Sequence, residues 1–369
     1  MNKWSLPSPR IIFALAGALL TLNLLAFGFG EAPLDNLAHA FQGTWGTPYG
    51  IGQVLFKATP LLLTGLAFHV ALRAGLFNIG TEGQLALASL AGAYAGTKLP
   101  ASTPWPIALT AVLGIAIGVG AAYSAIAGYM RAHLGVHEII SGIMLNRCVD
   151  VFLPWALVAG IGATGLQTAA LPASATLPGL DEMMNGLHGS AASIAFPLAV
   201  LVAFGCYAWL ERSRRGREMA WVGLGPEACE AQGIPVARRR IEAMVLSGAL
   251  AGCVIAPLVL GYKGYYELGL GAGAGFSGIA VAMVGRSGPL ALVAASLLFG
   301  TLAQAGLAIN AKVPREAMGV LEAVVILLVA AAAHQGRSER TDVPPSRKTE
   351  TDTTDQADSP TAPTTEVSA

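Results

Sequence analysis

Apolar stretches of membrane-spanning length follow one another along most of the chain, and short polar segments separate them. A helix needs about 20 mostly apolar residues to cross the hydrocarbon core of a bilayer. The pattern therefore predicts an all-α, polytopic membrane protein with about ten transmembrane helices. The predicted spans are residues 11–30, 51–72, 74–96, 106–130, 138–160, 191–210, 242–261, 271–286, 289–308 and 317–334.

The first span begins with the charge pattern of a signal peptide, because Lys3 and Arg10 precede it. Its apolar run covers residues 11–30, whereas the apolar core of a signal peptide is usually about 7–15 residues long. Residues 38–40 only loosely resemble a cleavage site and lie well beyond the run. We therefore predict a first membrane helix rather than a cleaved signal.

Basic residues predict the orientation of the chain, because Lys and Arg are enriched in cytoplasmic loops. The loop between the sixth and seventh spans, about residues 211–241, has the densest basic cluster, so we place it in the cytoplasm. With ten spans, both termini are then cytoplasmic and the nearly uncharged segment 161–190 is outside. The cluster consists of Arg212, Arg214, Arg215, Arg217, Arg238, Arg239 and Arg240.

The composition changes completely near residue 335. Residues 1–334 contain all the predicted spans and form one predicted transmembrane domain, with its cytoplasmic loop at about 211–241. Residues 335–369 are rich in Ser, Thr, Pro, Asp and Glu and have no apolar cluster. Such a segment cannot bury enough apolar surface to offset its ordering entropy. We predict a disordered cytoplasmic tail.

The overall composition excludes several classes of function. Hydrophobic residues make up 54% of the chain and charged residues 12%, against about 25% charged residues in soluble domains. The formal net charge of zero argues against a nucleic-acid partner and leaves the lipid bilayer as the predicted environment. The four cysteines are scattered without metal-ligand or disulfide spacing. The glycine-rich segment 269–278 lacks the lysine of a phosphate-binding loop. We predict no enzyme, no metal and no cofactor bound by this chain.

A polar, glycine-rich segment interrupts the apolar pattern at residues 72–84, between the second and third spans. It brings together Asn78, Glu82 and Gln84. A carboxylate at membrane depth costs about 3 kcal/mol, so it is kept where it faces protein or a water-filled path. Glycines also favour a broken or re-entrant element here. The three side chains are candidates for the substrate pathway, and the alternative is that they cap a helix and bond to neighbouring backbone.

The fifth predicted span opens with a second polar pair. Glu138 in its first turn complements the positive end of the helix, which is a sufficient structural explanation. Asn146 lies eight residues further on, near the same face and deeper in the bilayer. A buried Asn needs a partner, either another helix or a polar substrate. Both residues are candidates for the substrate pathway, and Asn146 is favoured as an interhelical contact.

The predicted cytoplasmic loop contains the pattern of a short helix. Pro226 suits the first helical position, Glu227 suits the positive N-terminal end, and Gly233 suits the stop. A two-turn helix is marginal alone, so packing against something must hold it. Small side chains would let another protein approach closely, which favours a docking element over a plain surface connector. The candidate docking residues are Gly223, Pro226, Glu227, Ala228, Ala231 and Gly233.

The segments that contain these candidates resemble the permeases of ABC importers for branched-chain amino acids and simple sugars. The resemblance runs from about residue 50 to 334, and its most specific motifs are residues 75–84, 135–146, 223–234 and 276–286. The pairing of GLFNIGTEGQ with EIISGIMLN is most similar to the nucleoside-importing branch.

The resemblance implies an all-helical permease in a bacterial inner membrane, which receives solute from an extracytoplasmic substrate-binding protein. It implies that a separate cytoplasmic ABC ATPase binds the ATP and docks on the loop that contains residues 223–234, and that a second permease chain pairs with this one. The hypothesis is therefore an ATP-driven importer, most similar to nucleoside importers. The alternatives are a simple sugar or a branched-chain amino acid as cargo, or an ion-driven secondary transporter.

The chain departs from the family pattern at three places. Gly225 stands where Asn is usual, and Cys229 stands where a second Ala is frequent. Both lie in the predicted docking helix, so they affect ATPase contact more than substrate. Ser287 and Gly288 stand where Asn-His is common.

Overall fold

A computed structural model describes residues 33–161, 165–180, 187, 189–309 and 324. The predicted spans 11–30 and 317–334, apart from residue 324, and the predicted tail lie outside the described residues. Secondary structure in the described part is helical, and the only β-pairing there consists of two isolated bridges, Gln167 with Glu267 and Gly179 with Ser193. The all-α prediction is confirmed for this part of the chain.

The α-helices of the described part are numbered here in chain order. Helix α5 continues into a π-helical turn, Ala156–Gly160, and a second π-helical segment, Ala256–Lys263, follows α9. The helices are α1 (Pro33–Thr44), α2 (Pro48–Arg73), α3 (Thr81–Thr97), α4 (Trp105–His133), α5 (Glu138–Trp155), α6 (Ala195–Arg212), α7 (Arg214–Leu224), α8 (Pro226–Ala231), α9 (Val236–Gly252), α10 (Ala274–Val284) and α11 (Pro289–Ala308).

Six helical segments of the described part are long and apolar enough to cross a membrane. They confirm a multi-pass membrane protein. The segments are Pro48–Arg73, Trp105–His133, Glu138–Gly160, Ala195–Arg212, Val236–Lys263 and Pro289–Ala308.

Two predicted spans begin later than hydropathy indicates. The span predicted at 74–96 is the 17-residue helix α3, which begins at Thr81. The span predicted at 271–286 is the 11-residue helix α10, which begins at Ala274. At about 1.5 Å per residue, α10 rises about 16 Å, which is about half of a hydrocarbon core. Hydropathy finds apolar composition, and it does not locate where the backbone becomes helical.

Burial separates central from peripheral helices. In α2, 83% of the apolar window is buried inside the protein, and in the segment formed by α9 and its π-helical continuation the value is 72%. In α4, α5, α6 and α11 the buried share lies between 28% and 39%. The first two segments therefore form the centre, and the other four turn a broad face outward.

Small residues let α4 and α9 approach closely. A Cβ atom on Gly120 would lie 2.3 Å from the carbonyl oxygen of Gly248, and a Cβ atom on Gly248 would lie 2.2 Å from the carbonyl oxygen of Gly120. One turn on, the Ser124 hydroxyl donates a 2.7 Å hydrogen bond to the Met244 carbonyl. Contacts of this kind are typical of membrane helices, where van der Waals packing and interhelical hydrogen bonds replace the hydrophobic effect.

Candidate functional site

The loop between α2 and α3 gathers the polar residues predicted from the sequence. We call residues 74–84, together with Glu138, Asn146 and Ser247, the polar junction. The loop starts at Gly75, which has a left-handed backbone with φ of 73°. The Gly75 N–H donates to the Leu72 carbonyl at 3.0 Å, and the next N–H donates to the Ala71 carbonyl at 3.1 Å. This is a Schellman cap, which glycine supplies without strain and which ends α2 at Arg73.

Asn78 and Gln84 form a closed pair of amides. The Asn78 Nδ2 donates to the Gln84 Oε1 at 2.9 Å, and the Gln84 Nε2 donates back to the Asn78 Oδ1 at 2.9 Å. Asn78 also donates to the Ser247 Oγ on α9 at 2.8 Å, and that hydroxyl donates to the Ala67 carbonyl on α2 at 2.7 Å. Asn78, Gln84 and Ser247 are all buried. The amide pair therefore ties α3 to the two central helices.

Asn146 on α5 caps the start of α3. The residue before α3 is Gly80, which has no side chain to cap the helix. The Asn146 Oδ1 instead accepts the Gly83 N–H at 3.0 Å, and its Nδ2 donates to the Ile79 carbonyl at 3.0 Å. Asn146 is buried. Its amide is thus engaged with backbone of a neighbouring segment, the arrangement expected for an interhelical contact.

Glu138 anchors the end of the junction that lies nearest the start of α5. Its Oε1 accepts the Phe77 N–H at 3.3 Å, and its Oε2 lies 3.1 Å from the Arg131 Nε at the end of α4. The side chain is 4% exposed. His137 caps α5, because its Nδ1 accepts the Ile139 N–H at 3.4 Å. Glu138 therefore pairs with a cation and with backbone inside this chain.

Glu82 caps α10 from a different helix. Its Oε1 accepts the Gly273 N–H at 2.6 Å, and its Oε2 accepts the Gly275 N–H at 2.8 Å. Gly273 precedes α10 and has no side chain to cap it. A carboxylate at a helix N-terminus is stabilised by the unpaired N–H groups and the helix dipole. Glu82 is partly exposed, whereas the other four pathway candidates are buried.

The depth of the junction follows from its contacts with α5. Phe77 lies level with Glu138 at the start of α5, whereas Ile79 and Gly83 lie level with Asn146. Eight residues of helix separate these levels, a rise of about 12 Å. Helix α3 therefore begins about 12 Å inside from the start of α5. Irregular backbone at such depth is tolerated where it is buried in protein, as it is here.

The predicted docking helix is present as α8, within residues 211–241, which we call the coupling segment. Pro226 occupies its first turn, and Glu227 lies beside it. Gly233 has φ of 75° and follows the helix end. The Gly233 N–H donates to the Glu230 carbonyl at 2.9 Å, and the next N–H donates to the Cys229 carbonyl at 2.9 Å, which completes a second Schellman cap. Its start and stop signals agree with the sequence prediction.

The outward surface of α8 is small and exposed. Cys229 is buried against Val222 and Val236, whereas Glu227, Ala228 and Ala231 are exposed. Beside them, Leu224 is 87% exposed and Trp221 is 48% exposed. Exposed apolar side chains grouped on a polar loop are typical of a protein contact surface.

Gly223 joins the coupling segment to the polar junction. A Cβ atom at this position would lie 2.3 Å from the Arg73 carbonyl oxygen and 2.9 Å from the Gly75 nitrogen. The end of α7 therefore packs backbone to backbone against the turn that ends α2. Only glycine allows that approach, which gives a structural reason for Gly223 beyond the predicted docking role.

Glu218 fixes α7 to α9. Its carboxylate accepts from the Arg214 Nε and from the Arg239 Nε, each at 2.7 Å. Arg239 also bonds to Glu242 on its own helix. The hydrogen bond from Arg214, together with the nearby Arg239 charge, lowers the pKa of the Glu218 carboxyl below its usual value. Part of the basic cluster that predicted a cytoplasmic loop thus serves to hold the coupling segment in place.

The sequence prediction missed a charged pair in the middle of α5. The Arg147 Nη1 donates to the Asp150 Oδ2 at 2.9 Å. Both side chains are mainly exposed, at 75% and 57%. Two ionisable residues inside the predicted span 138–160 were the available signal.

The described residues contain no group of three His, Cys, Asp or Glu side chains able to hold a metal ion.

The fold and these polar contacts define a polytopic helical membrane protein with a polar junction at membrane depth and a separate, exposed coupling segment. Comparison with known proteins adds the family. Residues 50–330 match the model of the branched-chain amino acid transport system / permease component family. The chain belongs to this family of ABC transporter permeases. Permeases are not enzymes.

Several relatives match most of this chain, and three of them are described here. The guanosine ABC transporter permease protein NupP of Bacillus subtilis (strain 168) is 32% identical, over 88% of this chain and 92% of the relative. The nucleoside ABC transporter permease protein NupB of Lactococcus lactis subsp. cremoris (strain MG1363) is 31% identical, over 89% and 91%. The glucose ABC transporter permease protein TsgB13 of Haloferax volcanii is 30% identical, over 86% of each chain.

Proposed function

We propose that this chain is the nucleoside-importing permease subunit of an ATP-driven ABC importer. It forms the translocation pathway together with a second permease chain, and a separate cytoplasmic ABC ATPase supplies the energy. The observation that carries the cargo assignment is similarity along most of the chain to permeases named for guanosine and nucleosides. The exposed apolar surface of the coupling segment supports a docked partner.

The proposed topology has ten spans with both termini in the cytoplasm of a bacterial cell and the permease in the inner membrane. The basic cluster of the coupling segment supports a cytoplasmic position for that segment. The proposed cargo reaches the outer face on an extracytoplasmic substrate-binding protein. Two of the relatives carry names that suggest paired permeases, because NupB and NupC are both described as nucleoside permeases of Lactococcus lactis.

The polar junction supports a permease whose pathway lies beside α3 and α10. Two helices begin at membrane depth there, and each is capped by a side chain from a neighbour, Asn146 for α3 and Glu82 for α10. Broken helices that meet near the bilayer midplane are a recurring feature of transporter binding sites. Of the five pathway candidates, Glu82 is the one with an exposed part, so we assign it to the pathway and the other four to its support.

Uptake of radiolabelled guanosine tests the cargo. Cells that express this chain with its neighbouring transport genes are compared with a strain lacking only this chain, and unlabelled ribose and leucine serve as competitors. We expect saturable guanosine uptake that is lost on deletion and unaffected by either competitor. Labelled glucose is measured in the same two strains. Loss of glucose uptake instead of guanosine uptake would contradict the proposed cargo and favour the sugar alternative, which the similarity to TsgB13 also supports.

The energy source needs its own control. An ionophore is added to cells whose ATP concentration is kept constant, so that only the ion gradients collapse. An ATP-driven importer keeps its initial uptake rate under these conditions, because no ion gradient drives it. Collapse of uptake with the ionophore at constant ATP would contradict the proposal and favour an ion-driven secondary transporter.

A further inference from the structure

A cluster of polar side chains lies where α2 meets α6. The His69 ring of α2 stacks on the Tyr207 ring of α6, with ring centroids 4.6 Å apart and ring planes inclined by 27°. Both residues are buried, at 6% and 8% exposed. One helical turn further along each helix, the Arg73 Nη2 lies 3.8 Å from the Glu211 Oε1. We call these four residues the α2–α6 contact.

Several buried atoms of the α2–α6 contact have no hydrogen-bond partner. Neither ring nitrogen of His69 is paired, and neither are the Tyr207 Oη and the Arg73 Nε. They are four of the ten buried side-chain nitrogen and oxygen atoms without such a partner in the part of the chain that the structure describes. A neutral histidine ring offers one donor and one acceptor, and a tyrosine hydroxyl offers both. A buried polar group without a partner loses its hydration and gains nothing in return, so these atoms destabilise the contact.

Two contacts of α4 show the opposite arrangement. The Ser124 hydroxyl donates to the Met244 carbonyl on α9 at 2.7 Å, and the Tyr123 hydroxyl donates to the Leu145 carbonyl on α5 at 2.9 Å. Unpaired groups are therefore not a general consequence of how these helices pack. A buried polar group without a partner needs a reason, and departures of this kind are found at functional sites.

Helix α7 of the coupling segment is attached to both helices of this contact. At the end of α2, Gly223 packs so closely that a Cβ atom would lie 2.3 Å from the Arg73 carbonyl oxygen. At the end of α6, only Ser213 separates α6 from α7. The turn there is tight, because a Cβ atom on Gly216 would lie 2.4 Å from the Leu210 carbonyl oxygen. A displacement of α7 therefore acts on α2 and α6 at the end where their polar groups are unpaired.

The unpaired atoms of His69 and Tyr207 lie inside this chain rather than on its surface. Neither lipid nor a second permease chain therefore touches them in this conformation. Water reaches them only when α2 and α6 separate. In α6 only 28% of the apolar window is buried inside the protein, against 83% in α2. A narrow face thus holds α6 to the central helix, and α6 is the one of the two that is free to move away.

We propose that the α2–α6 contact is a gate, which is closed in this conformation and opens during transport. When α7 moves, α2 and α6 separate at the end next to the coupling segment. Water then reaches the polar atoms of His69 and Tyr207, and their hydration offsets the cost of the apolar surface that opening exposes. The link between opening and a docked ATPase rests on the proposed function above, whereas the destabilised closed contact does not. Two measurements therefore test them separately.

Unfolding of the purified chain in mixed micelles with increasing SDS tests the closed contact. Tyr207→Phe keeps the ring and removes only the unpaired hydroxyl oxygen. Tyr123→Phe is the matched control, because it removes a hydroxyl that is paired with the Leu145 carbonyl. We expect the unfolding midpoint to rise for Tyr207→Phe and to fall for Tyr123→Phe, because only the control loses a hydrogen bond. A midpoint that Tyr207→Phe lowers or leaves unchanged would overturn the destabilised contact.

Thiol labelling tests the opening. All four native cysteines are replaced by alanine. The test chain then carries His69→Cys, and the control chain carries Ser124→Cys, a fully buried position in the α4–α9 contact. Each chain is assembled with its partner permease and ATPase in vesicles of both orientations. A charged, membrane-impermeant methanethiosulfonate is added without nucleotide, and separately with ATP and vanadate.

We expect the thiol of His69→Cys to react at least ten times faster in one nucleotide state than in the other, because the charged reagent reaches it only through water. The thiol of Ser124→Cys should react slowly in both states. Reaction of the His69→Cys thiol at one rate in both states of a complex that hydrolyses ATP would overturn the gate. An equal acceleration at Ser124→Cys would also overturn it, because the opening would not be local to α2 and α6.

Failure of the proposed function gives a different result. If the complex hydrolyses ATP and imports no nucleoside, the proposed cargo is wrong, while the labelling comparison still decides the gate. If no ATPase assembles with the chain, the proposed coupling is wrong and the gate has no driving partner. The comparison of Tyr207→Phe with Tyr123→Phe then still decides whether the closed contact is destabilised.

Discussion

Replacing Asn146 with alanine removes the cap that α5 provides for α3. Two hydrogen bonds are lost, from the Gly83 N–H and to the Ile79 carbonyl, each 3.0 Å long. Loss of a helix cap costs about 0.5–2 kcal/mol. A side-chain hydrogen bond between membrane helices is worth about 0.6 kcal/mol on average and about 1.7 at most. We therefore expect the free energy of unfolding to fall by about 1–3 kcal/mol.

The assay is reversible unfolding of the purified chain in mixed micelles with increasing mole fraction of SDS, followed by circular dichroism. Met144→Ala is the matched control, because Met144 lies on the same helix, two residues away, and its side chain is 57% exposed. Substitutions of exposed residues usually change stability by less than about 0.5 kcal/mol. The difference between the two variants then isolates the contribution of the buried amide.

Two results would refute this reasoning. If Asn146→Ala is no less stable than Met144→Ala, the two backbone hydrogen bonds do not hold α3 to α5. If its stability is unchanged and guanosine uptake is lost, Asn146 acts on cargo rather than on the fold, which would reverse its assignment to the support of the pathway.

Further predictions address the coupling segment and Glu82. Gly223→Ala should abolish uptake or lower abundance in the membrane, because its Cβ would lie 2.3 Å from a backbone oxygen. Gly225→Ala should retain both, because the atom nearest its Cβ would lie 3.9 Å away. Equal uptake in the two variants would contradict this reasoning. Deleting residues 226–233 should abolish uptake and co-purification of the ATPase while membrane insertion persists, and normal uptake would exclude the docking role. Glu82→Gln should impair uptake with ATPase binding intact, because its amide nitrogen would face one of two N–H donors; wild-type kinetics would remove it from the pathway. The lowered pKa of Glu218 means that its ion pairs stabilise the fold above the unfolded-state pKa of about 4.3 and lose that effect as pH falls through the folded pKa. The stability deficit of Glu218→Gln should therefore be full at pH 7, shrink as the pH falls below about 4.3 and vanish only below the folded pKa. A deficit that does not change with pH would contradict this.

The sequence is sufficient to predict the helical membrane fold and the short helix α8, because apolar length and capping residues are local properties. It does not predict where α3 and α10 begin. Hydropathy placed the starts at 74 and 271, whereas the helices begin at Thr81 and Ala274. Both starts depend on caps supplied by other helices, and such long-range partners leave no local pattern.

The polar candidates show a similar division. The sequence identifies Asn78, Gln84 and Asn146 as unusual, but only the structure shows that their amides are engaged with this chain's own groups. Arg147 and Asp150 were the reverse case. Their charges are visible in the sequence, but the surrounding apolar residues made residues 138–160 an ordinary predicted span. Which face of α5 stays exposed depends on how the helices pack, and composition does not contain that information.

The contacts also connect the coupling segment to the polar junction without a gap. The end of α7 packs at Gly223 against the turn that begins at Arg73 and contains Gly75. Seven residues after Gly75, Glu82 holds the first N–H groups of α10, and the loop between them is fixed to α9 by Asn78. Closely packed elements of this kind move together rather than deform continuously. A displacement of α7 by a docked partner would therefore shift the loop as a unit and reach Glu82 and α10. The Gly223→Ala and Glu82→Gln variants perturb the two ends of that connection. If force passes along it, both variants should reduce uptake, and Glu82→Gln should do so with ATPase binding intact.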